Sequence, residues 1–510
     1  MPVVELLYAL SILALSFYGF NNLLLAWIYL RRARTPVRAR TPVRERTPVR
    51  ARTPVRERTP LRERTPVREP WPRVTVQLPI YNELHTAERL LAAVAGLDYP
   101  RDRLEIQVLD DSTDATRRLV AKAVMRLQAE GVDAVHLMRE DRVGFKAGAL
   151  AAGLAQARGE FVAIFDADFV PNSDFLQRLV PHFADPAVGC IQARWGHVNR
   201  DYSTLTQLQA LGVDGHFVVQ QTARSRAGLF LNFNGTAGIW RRTCIEDAGG
   251  WQGDTLTEDL DLSYRAQLRG WRIVYRPDVV VPAELPAQIG AFKRQQARWA
   301  QGSIETALKL MGRLLRSGQR PAVKLEGVMH LTGYLVHPLM LSVILLTLPM
   351  SFSHSWVLLS IPWLMISAAG PPFLYIVAQL ADRGEGRRRL RYMPLLIMLG
   401  MGLCLNNTAA VLRGLLGIRR DFQRTPKFDL RHAADSWLGS VYALGGDWMV
   451  WPELALAGVV LVFLALHRVR WTFVPWLLLY AGGFAYVAGV NLFQTYRRRR
   501  FLQAAQMSSK

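Results

Sequence analysis

Residues 161–168 read FVAIFDAD: an apolar run, Phe161 to Phe165, that leads straight into Asp166-Ala167-Asp168. A short unbroken run of aromatic and branched residues is how a strand buried on both faces is written, and such strands belong to parallel sheets covered by helices. The same design stands upstream, where Glu105 to Leu109 leads into Asp110-Asp111-Ser112. Around these two strands the signals alternate. Val74 to Ile80 is a β-branched run closed by Asn82, Leu84 to Val94 and Ala115 to Gln128 have helical spacing, Ala134 to Leu137 is extended, and Ala147 to Ala157 is helical again. The alternation predicts an α/β, Rossmann-like domain with a mostly parallel sheet, which binds ligands beyond the carboxyl ends of its strands. Both acidic clusters then belong to one sheet edge.

A D-x-D pair sets two hard oxygen ligands on one side of an extended turn, the way Mg2+ or Mn2+ is held while it grips a diphosphate. One such pair is common in surface turns. Two acidic clusters after two apolar strands point to a nucleotide and metal site, with Asp166 and Asp168 as the metal ligands. Lys146 follows Gly144 at the start of a predicted helix and reads as a diphosphate contact, because helix N-termini favour anions. The alternative is a solvated lysine that merely opens a helix. Thr257-Glu258-Asp259 taken alone reads as a helix cap, since threonine and acids favour first turns.

The chain has 510 residues, half of them hydrophobic, and 63 basic against 41 acidic side chains, a net charge of +22. That length exceeds one ordinary domain and excludes a small binding module. Cys190, Cys244 and Cys404 are scattered and odd in number, which excludes a disulfide framework and a paired-cysteine zinc site and suits a reducing compartment. Apolar residues gather at the two ends. Leu6 to Leu30 is uncharged and closed by Arg31, Arg32 and Arg34, as expected of a first span whose C-terminal end faces the cytoplasm. It is too long for a signal peptide core and is expected to remain as a helix. Further apolar stretches run over 327–351, 355–380, 393–416, 450–467 and 472–494. Treating 393–416, which holds Asn406, Asn407, Thr408 and Arg413, as an interfacial helix leaves five full spans. Arg419 to Arg431 and Arg497 to Arg500 then become cytoplasmic, and Arg468 and Arg470 lie in a short external loop.

The expected organisation is an N-terminal transmembrane helix (1–33), a linker (34–70), the α/β domain (71–285), amphipathic interface helices (286–325) and a C-terminal transmembrane region with an interfacial helix (326–510). Residues 34–69 are six tandem RTPVRA or RTPVRE hexamers, with Leu61 replacing valine once. Proline at every sixth position deprives a helix of donors and predicts a stiff solvated spacer. Its excess arginine would also attract anionic lipid headgroups. Nucleic-acid binding is excluded, since no soluble basic face interleaved with aromatics is present.

At this point the sequence resembles the family 2 glycosyltransferases, in the processive membrane-embedded branch that includes cellulose, hyaluronan and mannan synthases. The matching stretches are QLPIYNE at 77–83, VLDDSTD at 108–114, FDADF at 165–169, FNGTAGIWR at 233–241, TEDLDL at 257–262 and QQARW at 295–299. VLDDSTD with FNGTAGIWR and QQARW is most similar to plant-type cellulose-synthase-like mannan and glucan synthases. The resemblance implies a GT-A-type catalytic domain, with Asp259 as catalytic base beside Glu258 and Thr257. It implies that Asp110, Asp111, Lys146, Asp166, Asp168, Gln295, Gln296 and Arg298 bind the nucleotide sugar, with Mg2+ or Mn2+ on Asp166 and Asp168. Trp299, Asn234, Gly235 and Thr236 become acceptor contacts, the indole stacking on a sugar ring. Phe422-Gln-Arg-Thr-Pro-Lys427 is similar to the gating loop of cellulose synthases, with Thr425 and Lys427 over the nucleotide; Arg424 and Pro426 depart from that pattern.

The implied activity is inverting transfer of hexosyl units from UDP-glucose or GDP-mannose to a growing β-linked polysaccharide, by resemblance β-1,4-glucan or mannan, with coupled export. The enzyme would be a multi-pass protein of the plasma membrane with its catalytic domain in the cytoplasm. His330, His337, Asn406 and Asn407 are then either channel-facing groups or interhelical hydrogen-bond partners. The alternative activity is addition of one sugar to a membrane lipid. A third class, a transporter or receptor that binds nucleotide without catalysis, is disfavoured because Asp259 and Arg298 are both present.

Overall fold

The computed structural model of the chain describes residues 2–32, 71–350, 357–382, 384–418, 423–466 and 473–508. The hexamer repeats, Phe422, Arg468 and Arg470 lie outside them. The middle of the chain forms a seven-stranded sheet: β1 (Val74–Ile80), β2 (Leu104–Asp110), β3 (Ala134–Met138), β4 (Phe161–Ile164), β5 (Val188–His197), β6 (Gly238–Arg241) and β7 (Arg272–Ala283). Their order is β3-β2-β1-β4-β6-β5-β7. The pairs β1–β2, β2–β3, β1–β4 and β5–β7 are parallel, as the alternation predicts. β6 is antiparallel to both neighbours, an insertion that the sequence pattern does not announce.

Every residue of β2 is buried, although it contains Glu105 and Gln107. Register explains how these polar groups are tolerated, because Thr75 lies opposite Glu105 and Gln77 opposite Gln107. Thr75 Oγ1 donates to Glu105 Oε2 at 2.5 Å, and Gln77 Nε2 donates to Gln107 Oε1 at 3.0 Å. A buried polar group costs little once it is paired. Val74, Val76, Leu78 and Ile80 of β1 join the core on one face of the sheet. Leu109, Val162, Ile164 and Trp240 join a second core, which includes Leu150 and Leu154. The sheet is thus covered on both sides, and its carboxyl edge is left for ligands.

Three helices are long and apolar enough to cross a membrane among the described residues: Val3–Arg32, Gly333–Met350 and Val474–Met507. The sequence reading expects five. Val357–Ala381, with 25 residues, and Val450–Leu466 are further apolar helices among the described residues. The stretch at 393–416, expected as an interfacial helix, is a bent pair in which Gly386–Gly402 and Cys404–Leu415 meet at 41°. The polar groups of its second limb turn onto protein. Asn407 Nδ2 lies 2.9 Å from His337 Nε2, and Asn406 Nδ2 donates to the Lys293 carbonyl at 3.0 Å. His330 Nδ1 sits 2.8 Å from the Tyr264 hydroxyl. All four polar groups therefore make hydrogen bonds within the protein.

Candidate active site

A solvent-open cleft lies at the carboxyl edge of the sheet. Its floor is made by chain leaving β1 (Tyr81, Glu83), β2 (Asp111) and β4 (Asp166, Asp168). One wall is the start of the helix Glu258–Leu268, which carries Asp259. Another is the helix Ile289–Arg316, which contributes Gln295, Arg298 and Trp299. Residues 424–427, from the segment that follows the bent helix pair, close the top with Arg424, Thr425 and Lys427.

The two aspartates of the D-x-D turn each meet an ammonium. Lys146 Nζ is 2.5 Å from Asp166 Oδ1, and Lys427 Nζ is 2.6 Å from Asp168 Oδ2. Lys146 also donates to the Gly235 carbonyl at 2.9 Å and lies 4.0 Å from Glu258. Burial opposes its charge, yet Asp166 and Glu258 outweigh burial and hold it above its ordinary pKa. Asp111 is gripped by Arg139 through both oxygens, at 3.0 and 2.5 Å.

Asp259 has a different environment. Burial, with Glu258 beside it, pushes its carboxyl up to about 7 against the pull of Lys146 and Arg298. The Leu260 amide donates to its Oδ1 at 2.8 Å. Gly235 passes directly over this group at φ 81°, and a Cβ there would stand 3.0 Å from Asp259 Oδ2. Backbone conformation and space both require glycine. Thr257 does not cap its helix; its hydroxyl lies 3.2 Å from that of Thr306 on the helix Ile289–Arg316. Gly302 makes that approach feasible, since a Cβ would come within 2.6 Å of Thr257.

Three of the expected contacts are not on the cleft wall. Asp110 is fully buried: its Oδ2 lies 2.9 Å from His136 Nε2 and its Oδ1 accepts from the Ser112 amide at 2.8 Å. Burial would raise its pKa, but these partners hold it below the ordinary value. Adjacent residues of an extended chain face opposite sides, so Asp111 reaches the cleft and Asp110 supports the turn from behind. Thr236 is fully buried as well, and its Oγ1 accepts from the Asp166 amide at 2.9 Å. It shapes the D-x-D turn and has no surface to offer an acceptor. Gln295 lines the cleft and Gln296 does not.

The structure also brings in residues that the sequence reading did not select. The Arg142 guanidinium lies 3.2 Å from the centre of the Tyr81 ring, and both line the cleft. Arg424 pairs with Glu83 at 2.7 Å and covers the Tyr442 ring. Burial pushes Glu83 up to about 7 in spite of Arg424. Glu284 accepts from the Phe428 amide at 2.8 Å, and Arg89 bridges Glu284 and Asp429. The usable signals were Glu83 at the end of QLPIYNE and Arg142 just before Gly144; nothing local marks Glu284.

Residues 72–302 match the family described as glycosyltransferase like family 2. This is a family 2 glycosyltransferase domain. The chain is 44% identical over 252 residues to glucomannan 4-beta-mannosyltransferase 2 of Arabidopsis thaliana, covering 48% of this chain and 47% of the relative. It is 37% identical over 355 residues to the probable glucomannan 4-beta-mannosyltransferase 7 of Oryza sativa subsp. japonica, covering 68% of this chain and 60% of that one. The chain spans about half the length of the curated relatives it matches. Among solved structures it resembles the mannosyltransferase PcManGT of Pyrobaculum calidifontis, solved with GDP-Man and Mn2+. The TM-score is 0.52 at 24% identity, over 81% of this chain and all of the other. That likeness is one of fold, and it covers more of the chain than residues 72–302.

Proposed function

We propose that the protein is a membrane-embedded inverting glycosyltransferase. It transfers hexosyl units, mannosyl foremost, from a nucleotide diphosphate sugar to a growing β-linked polysaccharide. The observation that carries this reading is that Asp111, Lys146, Asp166, Asp168, Asp259, Arg298 and Trp299, drawn from separate motifs, line one cleft. The names of the relatives support a 4-linked mannan-type product and transfer of mannosyl units. The apolar helices support a membrane setting, and the arginines that close the first helix favour a cytoplasmic cleft.

Breaking the bond between the anomeric carbon and phosphate leaves charge on the diphosphate. Lys146, Lys427 and Arg298 surround the cleft with cations suited to it. Asp259 takes the proton of the attacking acceptor hydroxyl, a task for a base whose pKa lies near the working pH. Attack opposite the leaving group inverts an α-linked donor to a β-linked product. Trp299 offers a flat apolar face for the acceptor's terminal ring.

The donor set suits a divalent ion. Asp166 and Asp168 are hard oxygen ligands facing the cleft, and each already attracts a cation. Among the described residues no group of three or more His, Cys, Asp or Glu side chains gathers around one point. That agrees with Mg2+ or Mn2+ held by one or two carboxylates and completed by diphosphate oxygens and water. Such an ion would be held by Asp166 and Asp168 and would neutralise leaving-group charge.

The test is transfer from radiolabelled GDP-mannose or UDP-glucose by the full chain in lipid with Mn2+, separating polymer from lipid extract. Label in mannanase-sensitive polymer is the expected result. Label only in the lipid extract would replace polymer synthesis with glycolipid synthesis, and transfer that survives in Asp259→Asn would remove Asp259 from the mechanism.

A further inference from the structure

The segment Gly215–Gln221 is a π-helix, a widened turn whose backbone bonds run from residue i to i+5. Residues five apart therefore share a face, and here those residues are His216 and Gln221. Both meet the side chain of Asn234, which lines the cleft one residue before the Gly235 that crosses Asp259. Gln221 Nε2 donates to Asn234 Oδ1 at 2.8 Å, and Asn234 Nδ2 lies 3.1 Å from His216 Nε2.

The directions of these bonds are fixed. Gln221 Nε2 faces three oxygens, the Asn232 carbonyl and the side-chain oxygens of Asn232 and Asn234, so the amide cannot be reversed. Asn234 Oδ1 is thus an acceptor and its Nδ2 must donate to His216 Nε2. Burial and the Arg224 guanidinium push His216 down to about 4, which keeps the ring neutral with its proton on Nδ1. Nδ1 then donates to Gln220 Oε1 at 3.2 Å, and Gln220 Nε2 donates to Asn22 Oδ1 of the first helix at 3.1 Å. The π-turn also lies hard against the helix Val357–Ala381: a Cβ on Gly215 would be 2.5 Å from the Tyr375 ring. The chain of hydrogen bonds consequently runs from the cleft to the first helix, and the π-turn that carries it packs on a second apolar helix. One Nδ2 hydrogen of Asn234 is not needed by the chain, and it can serve a sugar hydroxyl.

We propose that this π-turn is an acceptor-positioning device. His216 and Gln221 hold the Asn234 carboxamide in a single orientation beside Asp259, and Gln220 ties that orientation to Asn22 of the first helix. The inference rests on the reading of Asn234 as an acceptor contact.

The experiment uses the full chain in lipid nanodiscs. Binding of β-1,4-mannohexaose and of GDP is measured by calorimetry, and KM and kcat are measured with GDP-mannose. His216→Leu and Gln221→Leu should each weaken mannohexaose binding and raise its KM about two- to tenfold, the worth of one hydrogen bond. GDP affinity should stay at the wild-type level, while the buried groups left without partners lower the melting temperature. His216→Gln, which retains an acceptor, should recover most of the loss, and Asn22→Leu should act in the same direction more weakly. In an Asn234→Ala background the His216 and Gln221 variants should add nothing. An equal loss in that background, or an equal loss of GDP affinity, would make the π-turn merely structural and overturn the proposal. If Asn234→Ala weakens mannohexaose but His216→Leu and Gln221→Leu do not, the positioning idea fails alone. If wild-type protein does not bind mannohexaose, or Asn234→Ala leaves its affinity unchanged, the acceptor reading of Asn234 fails first and takes this inference with it.

Discussion

The two sides of the cleft treat their carboxylates in opposite ways. On the nucleotide side three aspartates each have their own cation, Asp111 with Arg139, Asp166 with Lys146 and Asp168 with Lys427, while Glu83 is lifted to about 7 in spite of Arg424. On the acceptor side Asp259 stands beside Glu258 and accepts from the Leu260 amide, and burial with Glu258 lifts its pKa to about 7 against the pull of Lys146 and Arg298. Burial and opposite charge act on both sides, and what differs is the balance: ion pairs hold Asp111, Asp166 and Asp168, whereas burial and Glu258 win at Asp259. The first side is built to exchange cations and hold phosphate. The second is built to leave one carboxylate able to gain and lose a proton near neutrality.

The sharpest way to break this contrast is Asp259→Asn. It should reduce transfer from GDP-mannose by at least ~10²-fold, the worth of a general base, while GDP affinity measured by calorimetry stays unchanged. Lys146→Met attacks the other side and should cost about 10²-fold in kcat together with a loss of GDP affinity, because it removes a phosphate partner and strips Asp166 of its cation. A Lys146→Met variant with full GDP affinity would show that the ammonium serves Asp166 alone. The pH profile gives a milder test. Since Asp259 must be deprotonated to act, kcat/KM should rise with pH through about 7 and level off above it. A profile flat from pH 5.5 to 8.5 would contradict the raised pKa.

The smallest expected effect is on stability. A carboxyl whose folded pKa lies above its unfolded value binds more protons in the folded state. Asp259 therefore lowers stability as pH rises from about 4 to about 7, and the deficit persists at higher pH. Asp259→Asn should consequently melt higher than wild type at pH 8 in a thermal-shift assay in detergent, with the gap closing toward pH 5. A variant that melts lower at both pH values would mean that the ionised carboxylate is held by stabilising contacts after all.

Much of this contrast was legible in the sequence because its chemistry is contiguous. FDAD, TED and QQARW each carry functional groups within a few residues, and the apolar runs before the acids fix the sheet edge on which they emerge. What was not legible depends on facing and on distance. Nothing in the pair Asp110-Asp111 says which one turns inward; β2's neighbours decide it, by bringing His136 against Asp110. The same holds for Thr236, whose hydroxyl is consumed by the Asp166 amide, and for Gln296 beside Gln295. Glu284 and Arg424 became visible only once the chain had folded back on itself.

The contact between Lys427 and Asp168 joins residues 259 positions apart. Synthesis runs from the N-terminus, and domains fold as they emerge. The sheet, with Asp166, Asp168 and Asp259, is complete by Ala283, well before Lys427 leaves the ribosome. Between those moments the intervening apolar helices must find their place and the D-x-D turn lacks its upper cation. Completion of the cleft thus waits on the helices made between Ala283 and Lys427, and the chain acquires its full complement of phosphate-facing charge only after they have emerged.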